Sequence, residues 1–112
     1  MDWLNYHHLL YFWTVAREGT VSAAAERLRL SRPTVTAQLR SLENAFGQKL
    51  FRQVGRKLIL TDFGEQVLAH ADEIFSAGQK LQDLARGVEQ GHRERLVIGL
   101  PDVMPKLIAY RL

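Results

Sequence analysis

No cysteine occurs in the 112 residues, which excludes disulfides and thiolate metal sites and suits a reducing compartment. No apolar run approaches the roughly 20 residues that a membrane span needs, and the amino terminus carries Asp2 but no basic leader. The sequence therefore reads as that of a soluble, cytoplasmic protein without a signal peptide.

The chemistry of an enzyme is equally scarce. No glycine-rich phosphate loop precedes a helical pattern, and no nucleophile elbow occurs. His7 and His8 are adjacent and diverge around a helix, while His70 with Asp72 or Glu73 lacks the i, i+4 spacing that puts two metal ligands on one face. No catalytic residue, metal site or cofactor is expected in this chain.

Anions are almost missing from one segment. Between Ser31 and Lys57 stand Arg32, Arg40, Lys49, Arg52, Arg56 and Lys57 against the single Glu43. That stretch carries +5, whereas the whole chain is +3, so everything else sums to −2. Positive charge confined in this way is the electrostatic footprint of a polyanion partner.

The segment 21–40, VSAAAERLRLSRPTVTAQLR, reads as two short helices with a tight connection, a helix-turn-helix. Thr20 or Ser22 caps the first helix, and Ala23, Ala24 and Ala25 give it a small face that a second helix can cross closely. Ser31 caps the second helix, and Pro33 falls in its first turn, where a missing N–H costs nothing. Val35, Leu39, Leu42 and Phe46 follow one another by four, three and four, one stripe of a helix, and Gly47 ends it. The opposite face shows Arg32, Pro33, Thr36, Ala37 and Arg40. A major groove admits one such helix, its N-terminal residues reaching base edges while hydroxyls and N–H groups of the first turn hold phosphates. The candidate DNA-binding residues on this helix are Ser31, Arg32, Pro33, Thr34, Thr36, Ala37, Gln38 and Arg40.

Around this motif the rest falls into place. Residues 5–17 form a first helix with Tyr6, Leu9, Phe12 and Val15 or Ala16 on one face, broken at Glu18-Gly19. Its Tyr11-Phe12-Trp13 cluster reads as core packing rather than as a stacking platform for bases. Residues 50–60 hold two β-prone runs around Val54-Gly55-Arg56-Lys57, a hairpin whose basic tip suits a phosphate backbone or a narrow minor groove. Arg52, Gln53, Arg56 and Lys57 complete the candidate site. Thr61 caps a final helix over residues 62–89, about 40 Å long, with Asp62 and Glu65 against the positive end of its dipole. Val67, Ala71, Ile74, Gly78, Leu81, Ala85 and Val88 make a heptad seam along it. A head of about sixty residues leaves much of such a rod uncovered, so a second copy is expected there. After a break at Gly91-His92, residues 95–100 look like a buried strand and Pro101-Asp102 opens a helix toward Tyr110. Together these read as the start of a larger α/β domain not present in the chain.

The sequence resembles the LysR-type transcriptional regulators over about residues 5–100. The resemblance rests on Leu9-x-x-Phe12-x-x-Val15-Ala16-x-x-Gly19, on Ala24-Ala25-Glu26-x-Leu28-x-x-Ser31-x-Pro33-x-Val35-Thr36-x-Gln38-Leu39-x-x-Leu42-Glu43, and on Gly47-x-x-Leu50-Phe51, Gly55-Arg56 and Leu60-Thr61-x-x-Gly64. Tyr11-Phe12-Trp13, Glu18-Gly19 and residues 71–75 are also similar to the subgroup of sodium/proton antiporter activators. The resemblance implies a mainly α fold: a winged helix-turn-helix at 1–61 with a two-stranded wing, a linker and dimerisation helix at 62–90, and at 91–112 the start of an effector-binding domain. It further implies a cytoplasmic homodimer, or a higher oligomer of the intact protein, on an interrupted palindrome of double-stranded DNA. The resemblance also admits RNA polymerase as a further partner, leads one to expect a small-molecule or ion inducer only in the effector domain, and implies no membrane. Two departures stand out. The family usually has Arg where this chain has Gln53, with the cation moved to Arg52, and it favours Gln at Arg32 and a long polar residue at Ala37. Base readout then leans on Arg32, suited to a guanine O6/N7 pair. The alternative reading, a helical adaptor that dimerises without reading DNA, leaves the +5 segment without a use.

Overall fold

The computed structural model describes residues 3–90, with side chains to Gly87. The expected break at Gly91-His92, the strand at 95–100, the helix toward Tyr110 and the Val88 side chain lie outside the described residues. Four helices and one hairpin follow in the order α1 (Tyr6–Glu18), α2 (Val21–Leu28), α3 (Arg32–Phe46), β1 (Phe51–Val54), β2 (Lys57–Leu60) and α4 (Asp62–Gln90).

Each helix begins where a short polar side chain satisfies an orphan N–H. The Asn5 carboxamide accepts from His7 and His8 N–H at 3.0 Å, Thr20 Oγ1 from Ala23 N–H at 3.0 Å, Ser31 Oγ from Thr34 N–H at 3.2 Å and Thr61 Oγ1 from Gly64 N–H at 2.9 Å. Thr20, not Ser22, is thus the cap of α2. Gly19 and Gly47 end α1 and α3 in the left-handed region, as the expected breaks require.

The turn between α2 and α3 has no glycine. Arg29 takes the left-handed conformation there, with φ 60° and ψ 43°, which costs a residue with a Cβ about 1–2 kcal/mol. Its N–H and that of Leu30 fold back onto the carbonyls of Glu26 and Ala25, closing α2 and swinging the chain into Ser31. Arg29→Gly is expected to raise stability by about 0.5–1 kcal/mol, since relief of strain exceeds the added backbone entropy of glycine. A denaturant midpoint that falls would contradict this account of the turn.

Leu9, Phe12 and Val15 of α1, Ala24 and Ala25 of α2, Val35, Leu39 and Leu42 of α3, Leu50 and Ala71 make the core. Ala24 and Ala25 are 0% and 3% exposed, and this small face lets α2 cross its neighbours. Tyr6, expected on the inner face of α1, is 53% exposed. Thr14 is buried instead, its hydroxyl donating back to Leu10 O at 2.8 Å, which keeps a polar side chain satisfied inside a helix. The aromatic cluster divides as packing demands. Phe12 meets Phe51 at 5.3 Å between centroids, and Trp13 lies 4.8 Å from Phe75 while its Nε1–H donates to Asp72 Oδ1 at 2.7 Å.

The chain divides into two units after Phe75. In the first, Ala71 is fully buried and Val67 and Ile74 pack against the same core. Ala71 is therefore unavailable to another chain, a correction to the reading that placed it on a seam between copies, while Val67 and Ile74 are half-buried against the head's own core. In the second unit, Gly78, Leu81 and Ala85 are exposed, as is Leu84, which the seam omitted.

Candidate nucleic-acid interface

Burial of Val35, Leu39 and Leu42 fixes the rotation of α3 and so decides what it shows. Arg32, Pro33, Thr36, Ala37 and Arg40 line one shallow concavity on its outer side. Ala37 supplies the floor between longer neighbours, and a guanidinium stands toward each end. Ser31 and Thr34 sit at the N-terminal end, the Ser31 hydroxyl donating to Thr34 Oγ1 at 2.8 Å, so that the Thr34 hydroxyl keeps its own proton for an outside acceptor. Gln38 is half-buried beside this face. The first-turn N–H groups contribute less than expected, because Thr34 N–H is spent on Ser31 Oγ and Pro33 has none.

The wing pairs antiparallel in the register Phe51↔Leu60, Arg52↔Ile59, Gln53↔Leu58 and Val54↔Lys57. Gly55 has φ +63° and Arg56 does not share that sign, the pattern of a type II′ hairpin, whose twist matches the strands. Residues opposite each other share a face. Gln53 therefore lies on the side of Phe51, Leu58 and Leu60, and Arg52 on the other side with Ile59. The cation moved from position 53 to 52 has changed face, so Arg52 and Gln53 do not meet one surface together. Arg56 and Lys57 stand exposed at the tip.

Among the described residues, the ion pairs leave this region's cations largely free. Lys49 Nζ is 3.7 Å from Glu43 Oε1, Arg27 pairs with Glu18 at 3.6 Å, and Arg86 with Asp83. Arg32, Arg40, Arg52, Arg56 and Lys57 have no ion-pair partner there. In the sequence, Glu43 figures as a charge and as part of the family pattern, with no contact assigned to it. Its other oxygen, Oε2, accepts from Leu50 N–H at 2.8 Å and lies 3.5 Å from Phe51 N, so the lone anion of the segment is turned inward to the base of the wing. No periodicity signals such a bond, since it joins residues seven apart across a helix end.

A helix-turn-helix with this exposed face, followed by a basic two-stranded wing, matches the family of bacterial regulatory helix-turn-helix proteins of the lysR type over residues 6–65. The chain belongs to the LysR family. Its amino-acid sequence is 44% identical over 84 residues to the transcriptional activator protein NhaR of Escherichia coli, a match covering 75% of this chain and 28% of that protein. It is 37% identical over 89 residues to the transcriptional activator CmpR of Synechocystis, covering 77% and 29%. The chain thus spans a little over a quarter of the length of these relatives. Among solved LysR structures, the DNA-binding domain of CbnR in complex with DNA superposes with a TM-score of 0.67 at 32% identity, covering 77% of this chain and 99% of that one. The mainly helical fold with a two-stranded wing is the fold of LysR DNA-binding domains. The relatives bear names of regulators, not of enzymes. No helix among the described residues is long and apolar enough to cross a membrane.

Proposed function

We propose that the chain is the DNA-reading and linker segment of a cytoplasmic LysR-type transcription regulator, which binds an interrupted palindrome of duplex DNA as a homodimer. The observation that carries this reading is the outward concavity of α3, which Arg32, Pro33, Thr36, Ala37 and Arg40 line together. A helix presenting two cations around a small floor fits the width of a major groove, with Arg32 placed for a bidentate guanine contact and Ala37 for a thymine methyl. Arg56 and Lys57 at the wing tip serve the flanking phosphates or minor groove. A CbnR domain of the same fold has been solved in complex with DNA, which supports duplex DNA as the partner. An effector-binding domain, its inducer and contact with RNA polymerase belong to the longer protein that this reading implies.

Selection of binding sites from a randomised duplex pool tests the proposal. Recovery of one preferred duplex, with affinity falling steeply as salt rises because counterions are released, is the expected result. A chain that enriches no site at moderate salt is not a specific reader. On the recovered duplex, Arg32→Ala is expected to cost about 1–3 kcal/mol and to relax base preference, whereas Arg56→Ala weakens specific and random duplex nearly alike. Equal losses on both duplexes for Arg32→Ala would remove its assigned role.

A further inference from the structure

The base of the wing is gripped from two sides at one residue. Leu50, fully buried, gives its N–H to Glu43 Oε2 of α3 at 2.8 Å. Its carbonyl accepts from Thr61 N–H at 3.0 Å and from the Thr61 hydroxyl at 3.3 Å, and that hydroxyl also donates to Lys49 O at 2.7 Å. Thr61 in turn starts α4. One peptide segment therefore ties the reading helix, the wing and the start of α4 together. Only the Glu43 side of the tie reaches α3.

From this geometry we infer that Glu43 is a positioning residue for duplex reading: its carboxylate sets the span between the outer face of α3 and the Arg56-Lys57 tip. The inference rests on the proposed DNA-binding function. A two-stranded hairpin has little stability of its own, so its placement depends on what holds its base. A carboxylate accepting a backbone N–H is a strong, short link, and with its side chain 13% exposed it is little diluted by water. The pair with Lys49 at 3.7 Å, whose own side chain is 77% exposed, adds less. Arg56 and Lys57 meet flanking phosphates in register with the groove contacts of α3 only if that span is kept. Glu43 touches no base or phosphate in this scheme.

The test is a hydroxyl-radical footprint of the 112-residue chain on a duplex recovered from the randomised pool, with far-UV circular dichroism recorded on each variant. Wild type is expected to protect two half-sites, which together form the centre of the footprint, and one flank outside each. Glu43→Ala, which leaves Leu50 N–H without its acceptor, is expected to lose flank protection while keeping the centre. Its affinity should drop about tenfold, and adding Arg56→Ala should cost little more, because the two changes remove the same contact. Glu43→Gln retains an acceptor oxygen and should restore the flanks. Should Glu43→Ala not fold, Glu43→Asp, one methylene shorter, must show the same loss of flanks with the centre intact. A wild-type footprint that these variants leave whole, or one whose centre and flanks fade together, overturns this inference alone. A wild type that selects no duplex overturns the DNA-binding function as well.

Discussion

Leu81→Asp combined with Leu84→Asp is expected to lower affinity for a duplex with two half-sites by about two to four orders of magnitude, with the head still folded. Both leucines are exposed, at 65% and 59%, and belong to the second unit of the chain, so neither change opens the core of the first. In a two-fold dimer each recognition helix raises the effective concentration of the other at its half-site, an advantage lost when the pair separates. An aspartate against an apolar partner is costly enough to separate it. Ile74 is unsuited to this experiment because it packs against the head's own core, and its replacement would damage folding. Sedimentation should show the double variant as a monomer and the wild type as a dimer at micromolar concentration. Unchanged sedimentation, or an equal loss on a single half-site, would refute dimerisation through Leu81 and Leu84.

Gly64→Ala is expected to destabilise the head by about 3 kcal/mol or more, a large share of the stability of a small domain. A Cβ at this position would run into the Leu50 carbonyl oxygen, far inside contact distance, and would also press on Leu60 Cδ2 at 3.1 Å. The obstacle is backbone. Leu50 cannot retreat, because Glu43 holds its N–H and Thr61 its carbonyl, and α4 cannot lift without breaking its own cap at Thr61. Denaturant unfolding followed by circular dichroism measures the loss. A decrease under about 1 kcal/mol would mean that the chain around Leu50 is softer than this packing implies.

Features that depend on a few neighbouring residues were legible in the sequence. Ser31 with Pro33 and Gly47 mark helix ends because caps are local chemistry, whereas the choice between Thr20 and Ser22 needed the structure; the stripe of Val35, Leu39 and Leu42 fixes the outer face of α3 because burial has the helix period. The hairpin followed from Gly55 between two β-prone runs. Local patterns do not reveal which partner a side chain will find across the fold. The seam at Val67, Ala71 and Ile74 looked the same whether it served a second chain or the head, since both are apolar. Glu43, Gly64 and the Trp13 bond to Asp72 took their meaning from residues brought near only by folding. Arg29 gave no sign of its left-handed turn, because the positional demand falls where two helix axes must meet and glycine happens not to be used. The twelve residues assigned to DNA were drawn from exposure and charge, and the structure gathers five of them into one concavity while separating Arg52 from Gln53.

The contact of Phe51 with Phe12 bears on how rigid the reader is. A hairpin whose first ring lies beside the most buried aromatic of the head resists outward motion, since such motion uncovers both rings at once; this contact is with α1, and the link to α3 stays with Glu43. On the proposed DNA-binding function, wing and recognition helix would approach a duplex as one caliper, its opening set by the Glu43 bond and stiffened by this ring contact. Sequences would then be sorted partly by compliance, the favoured ones being those that bend or narrow cheaply to suit the caliper.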